Sequence, residues 1–185
     1  MSSAKKNHSR VEREKKLSRL GAKKTSVAGA MMESNDFGSS SESVRATLVV
    51  RKTIRATAQF LFDAWTQPDH LKNWWGPANV TCVEAIVDLR VGGGYRLANR
   101  FPDGNVLWIV GQFELIEPPH KLVYSWRLES EPQEYERVTV LFEPRGGATE
   151  VIVMHERIPD VDRRNQHEQG WIGCLEGLGD YVAGA

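Results

Sequence analysis

Between Val80 and Ile158 the chain repeats one pattern: an extended segment, then a turn too short for anything but an antiparallel return. Val80 to Leu89, Tyr95 to Phe101, Val106 to Ile116, Leu122 to Leu128, Val138 to Phe142 and Thr149 to Ile158 read as strands. The breaks are Gly92-Gly93-Gly94, Pro102-Asp103-Gly104-Asn105, Glu117-Pro118-Pro119-His120, a stop at Pro132, and Gly146-Gly147. A parallel connection needs a crossover of about a dozen residues, and no break supplies one. The sequence therefore predicts an antiparallel meander, with one apolar face that something must cover.

The flanking segments supply the cover. Val44, Ala46, Leu48 and Val50 alternate with polar residues as a further strand. Thr57 reads as an N-cap before Phe60, Leu61, Ala64 and Trp65 at helical spacing. Pro68 opens a second short helix carrying Leu71, Trp74 and Trp75, ended by Gly76-Pro77. From Val161 to Val182, residues His167, Trp171, Cys174, Leu175, Leu178 and Val182 fall on one helical face. At 1.5 Å per residue that helix is about 33 Å long, enough to lie across a sheet. The expected class is α+β: about seven antiparallel strands in one sheet, two short helices after the first strand, and a long C-terminal helix.

Charge divides the chain. The formal net charge is zero, yet residues 1–30 hold nine Lys/Arg against Glu12 and Glu14. Of 24 basic residues 15 remain beyond that point, and of 24 acidic residues 22 remain. Residues 1–43 carry one aromatic, Phe37, too little apolar surface to offset the entropy of ordering. They are expected to form a disordered basic tail on a domain spanning 44–185. No apolar run reaches the roughly 18 residues of a membrane span. Cys82 and Cys174 fit no metal spacing and read as two reduced, buried thiols of a cytoplasmic protein.

Taken in order, "VRKTIRATAQFLFDAWTQPDHLKNWWGP", "DLRVGGGYRL", "PDGN", "GQFELIEPPHKLVYSW", "VTVLFEPRGGATEVIVMHERIPD" and "HEQGWIGCLEGLGDYV" cover Arg51 to Val182. The series resembles the START-like superfamily with the helix-grip fold. Within it, the chain is most similar to the group homologous to the activator of the ninety-kilodalton heat-shock chaperone's ATPase. The resemblance implies a curved sheet gripping the C-terminal helix around an apolar cavity, and members that mostly bind hydrophobic small molecules. Nothing here matches the separate chaperone-binding domain of the full activator, so a co-chaperone role is not implied.

Candidate cavity residues follow from strand phase. Tyr95 shares a face with Leu97, Trp108 with Val110, and Tyr124 with Trp126, while Trp171 and Leu175 approach from the helix. Trp75 faces the cavity mouth or simply wedges its helix onto the core. His155 shares a strand face with Val151 and Val153, and His167 lies one turn before Trp171; each is a polar group of the cavity or a satisfied structural histidine. The expected polar handles are the Tyr95 and Tyr124 hydroxyls and the His155 imidazole. Gly92-Gly93-Gly94 lacks the Lys-Ser/Thr of a phosphate loop and reads as a turn. The stripe of Gly170, Gly173 and Gly177 either packs close or leaves cavity volume.

The first expectation for function is binding of a small apolar or aromatic molecule, without metal or cofactor. Alternatives are a cyclase- or hydrolase-type enzyme using a cavity histidine, and a protein-interaction module. No membrane partner is expected, nucleic acid only non-specifically through the tail, and a homodimer stays open.

Overall fold

A computed structural model describes residues 45–131 and 135–185. The expected basic tail lies outside the described residues. The elements are β1 (Ala46–Ile54), α1 (Ala58–Thr66), α2 (Pro68–Trp74), β2 (Thr81–Val87), β3 (Gly94–Arg100), β4 (Val106–Glu117), β5 (Lys121–Leu128), β6 (Glu136–Arg145), β7 (Ala148–Ile158) and α3 (Val161–Ala183).

The seven strands form one curved antiparallel sheet in the order β1-β7-β6-β5-β4-β3-β2. Strands β2 to β7 are the predicted meander, and β1 returns to close on β7, with Val50 opposite Val153. The fold is α+β of the helix-grip type. Helix α3 lies over the concave face beside β1, β7 and α2. Its inward residues Trp171, Cys174, Leu175 and Leu178 are buried, as the helical spacing predicts.

Local chemistry sets the ends of the helices. Thr57 Oγ1 accepts from Phe60 N at 3.2 Å to cap α1, and Asp160 Oδ1 accepts from Arg163 N at 2.8 Å to cap α3. Pro68 occupies the first turn of α2, where a missing N–H costs nothing.

The glycines of α3 divide by environment. A Cβ on Gly173 would stand 2.9 Å from Pro77 Cβ, and one on Gly177 would stand 3.0 Å from the Trp74 carbonyl oxygen. Close approach is therefore the reason there, though the neighbour is the α2–β2 turn and not the sheet. At Gly170 an added Cβ meets nothing within 4 Å. The two cysteines are free and buried.

Candidate functional site

Two adjacent tryptophans cannot both face one core from within a helix, because each residue turns the side chain by about 100°. Here the helix stops between them. Trp74 is the last residue of α2, and Trp75, its C-cap, is extended at φ −71° and ψ 126°. The change of backbone lets both indoles turn inward, and both are buried. Their N–H groups then part company. Trp74 Nε1 donates to the Ala64 carbonyl at 2.8 Å, whereas Trp75 Nε1 is buried with no hydrogen-bond partner.

Around Trp75 the inner face of β3, β4 and β5 is densely aromatic. Tyr95, Phe113 and Tyr124 pack with ring centroids 5.3–6.1 Å apart. Gly111 makes this possible, since a Cβ there would fall 2.7 Å from the Tyr95 ring and 1.8 Å from the Ser125 carbonyl oxygen. Tyr95 crosses β4 at that gap and its hydroxyl donates to Ser125 O at 2.9 Å. The Tyr124 hydroxyl accepts from Trp65 Nε1 at 3.2 Å. Both expected tyrosine handles are thus engaged within the protein, and the void among them, bordered by Trp65, Trp75, Leu97 and Phe113, measures only about 20 Å³.

Farther along the concave face, β6, β7 and α3 bring together a charged cluster. Glu136 Oε2 lies 2.7 Å from His155 Nε2 and 2.9 Å from His167 Nε2. Arg163 Nε stands 2.8 Å from Glu136 Oε1, and its Nη1 stands 2.6 Å from Glu131 Oε2. The two imidazoles stack at 4.5 Å, and Trp126 meets the His167 ring edge-on at 4.7 Å. Burial alone would push the Glu136 carboxyl up, but hydrogen bonds from His155 and His167 outweigh it and hold the group at about 2. Burial drives His155 below its ordinary value, against the pull of Glu136.

Trp171 fixes the tautomer of His155. Its Nε1 donates to His155 Nδ1 at 3.0 Å. An indole N–H can only donate, so Nδ1 carries the lone pair and the neutral ring keeps its proton on Nε2, facing Glu136. Glu136, His155 and His167 do place three ligand-type atoms within 4.8 Å of one another. The set nevertheless suits a cation poorly. To ligate through Nε2, His155 would have to shift its proton to Nδ1 and give up the Trp171 bond, and Arg163 already holds the other Glu136 oxygen.

Between the aromatic and charged regions, under α3, lies a pocket of about 100 Å³. Trp75, Ile109, Trp126 and Trp171 give it apolar walls, and Asn99 and His167 give it polar ones. Gly170 borders it as well, so the missing side chain there does leave volume. Asn99 Oδ1, like Trp75 Nε1, is buried without a partner.

The structure gathers Trp75, Trp126, His167 and Trp171 at this pocket and places Tyr95, Leu97 and Tyr124 around the small void. His155 sits one layer behind, fully buried, and Leu175 packs in the core. Trp108 and Val110 correct the expected phase of β4. Tyr95 pairs with Gly111 and Leu97 with Ile109, so Gly111 and Ile109 face inward. Trp108 and Val110 point to the convex side, where the Arg96 guanidinium covers the Trp108 ring at 4.3 Å. The strand is apolar on both phases, so alternation alone could not choose; the space Tyr95 needs above a glycine does. Asn99, Glu136 and Arg163 were missed. Asn99 and Glu136 had a visible signal, as polar residues in phase with buried Tyr95 and Leu97 and with Val138 and Val140.

Comparison with known proteins agrees with this architecture. Among solved structures, an AHSA1 protein from Silicibacter pomeroyi superposes with a TM-score of 0.68 at 23% identity, covering 75% of this chain and 98% of that one. A protein from Chromobacterium violaceum gives 0.66 at 22% identity, with 74% and 96% covered. CalU16 from Micromonospora echinospora gives 0.59 at 24% identity, with 75% and 76% covered. At such identities the likeness is one of fold. No curated protein matches the chain. The family described as Activator of Hsp90 ATPase homolog 1-like protein matches residues 55–183, and the chain belongs to that family.

Proposed function

We propose that the domain binds a small, flat, largely apolar molecule in the pocket between α3 and the inner face of the sheet. The observation that carries this reading is a matched pair of unsatisfied groups. The Trp75 N–H donor and the Asn99 Oδ1 acceptor are both buried without partners, and the two residues line the same pocket of about 100 Å³. Buried polar groups in folded proteins are nearly always paired, and leaving one unpaired costs about 1–3 kcal/mol. A ligand with one polar edge supplies both partners while its ring fills the space between Trp126 and Trp171.

The size favours a single ring. A ligand of about eight heavy atoms contributing about 0.7 kcal/mol each reaches roughly −6 kcal/mol, which corresponds to a Kd of about 40 μM. A hydrolase-type reading is weaker, because among the described residues the pocket lining has no side-chain hydroxyl to serve as nucleophile beside His167. The thiol bordering the pocket, Cys174, is pushed up to about 12 by burial and stays protonated.

Titration with single-ring compounds, followed by indole fluorescence, tests the proposal. Trp75, Trp126 and Trp171 border the pocket, so binding should quench emission, and the quench should survive Trp108→Phe. Gly170→Leu should fill the space and abolish it. Native mass spectrometry of protein from its own host should show a co-purifying molecule. An unchanged spectrum across the series, with no bound mass, would end the proposal.

A further inference from the structure

We infer that the molecule held in this pocket is a neutral single-ring compound carrying a hydroxyl, and that His167 selects it by accepting the hydroxyl's hydrogen bond. The inference rests on the pocket reading above and adds the chemical class of the ligand.

In the neutral form of His167, Glu136 sets the tautomer. An ionised carboxylate only accepts, and Glu136 Oε2 stands 2.9 Å from His167 Nε2. The ring proton is therefore on Nε2. The second nitrogen of an imidazole takes its role from the bond made by the first, so Nδ1 is left as an acceptor. Among the described residues no group hydrogen-bonds His167 Nδ1. His167 borders the pocket with its side chain 14% exposed, and its open lone pair is the acceptor this residue has to offer an occupant of that space.

Two further features narrow the class. A hydroxyl both donates and accepts. It can give its proton to His167 Nδ1, which neither a hydrocarbon nor an ether does, while its oxygen accepts the orphan N–H of Trp75; Asn99 Oδ1 then calls for a second donor on the ring. The charges behind the pocket disfavour an anion. Among the described residues, Glu131 and Glu136 share the Arg163 guanidinium, and His155 is held neutral by the Trp171 bond. A carboxylate or phosphate ligand would meet excess negative charge, whereas a neutral donor would not. A site built to hydrogen-bond a hydroxyl also discriminates against analogues lacking one, because its own polar groups are then left unpaired.

The test compares p-cresol, toluene and 4-methylanisole on the full chain at neutral pH, by fluorescence titration checked with ligand-observed NMR. p-Cresol is expected to bind at least about tenfold tighter than the other two, a difference of about 1.4 kcal/mol. His167→Leu should reduce p-cresol to the toluene level while toluene itself changes little. His167→Gln, which retains an acceptor oxygen, should keep part of the preference. Equal affinity for all three compounds on the native protein would overturn the inference and leave the pocket reading standing, as would a His167→Leu protein that keeps the full preference. Failure of all three to bind would remove both. Should His167→Leu fail to fold by circular dichroism, the native ligand series and His167→Gln decide.

Discussion

At one end of the concave face Trp65, Trp74, Trp75 and Trp171 pack edge-on, tilted or stacked, with centroids 4.9–6.1 Å apart. At the other, Glu136, His155, His167 and Arg163 hold one another through contacts of 2.7–2.9 Å. Both regions are buried beneath α3, yet they answer burial differently. The aromatic end uses shape: its polar atoms find partners locally, and Trp75 Nε1 is the exception. The charged end relies on mutual neutralisation, because an isolated buried charge would cost several kcal/mol. Trp171 belongs to both, stacking on Trp65 at 6.1 Å and donating to His155 at 3.0 Å. Polar atoms are left without partners where neither strategy closes, in Trp75 and Asn99 at the seam between the two regions.

The largest expected effect comes from removing that shared residue. Trp171→Ala should cost about 3–5 kcal/mol, as for large aromatics deleted from a core, read as a lower midpoint in urea unfolding. A near-neutral result would mean that the two regions are not joined through Trp171. Glu136→Gln should cost about 3 kcal/mol, because Arg163 and two imidazoles lose their common acceptor. If its midpoint matched the native one, the charged end would be dispensable to stability.

Acidification should separate the regions without mutation. His155 has its pKa lowered from 6.5, so it binds protons more readily when unfolded. Its contribution is present above about pH 6.5 and fades as pH falls below that value. Glu136 is held at about 2 against an ordinary 4.5, so its contribution is present above about pH 4.5 and is lost as pH falls towards 2. Melting temperature should therefore decline in two stages, and Glu136→Gln should flatten the lower one. A profile flat from pH 7 to 3 would contradict the assignment.

The smallest effects concern α3. Gly173→Ala must displace Pro77, 2.9 Å from the new Cβ, and should cost about 1–2 kcal/mol. Gly170→Ala meets open space and gains helix propensity, so it should stabilise by up to about 1 kcal/mol while weakening ligand binding. Equal effects of the two substitutions, measured by thermal melts, would show that the helix does not distinguish its close-packed and pocket-facing sides.

Much of the fold was written locally. Turns such as Pro102-Asp103-Gly104-Asn105 and Gly146-Gly147 are too short for crossovers, which forces antiparallel pairing whatever else happens. The helical spacing of Trp171, Cys174, Leu175 and Leu178 marks the face of α3 that must be buried. Thr57 and Pro68 announce where helices start. None of these depends on a distant residue.

The site was decided by residues far apart in the chain. Whether Trp108 or Ile109 faces inward depends on Tyr95 needing the empty space above Gly111 and on the Ser125 carbonyl being there to receive its hydroxyl. Whether Tyr95, Tyr124 or Trp75 offers a free polar atom depends on partners at Ser125, Trp65 or nowhere. Glu136 on β6 meets His155 through the pairing of β6 with β7, and His167 joins them only after α3 has been laid on the sheet. Sequence sets backbone periodicity through short-range sterics and the need to bury one face. Hydrogen-bond saturation is a three-dimensional property, and only the tertiary structure assigned the unpaired atoms to Trp75 and Asn99.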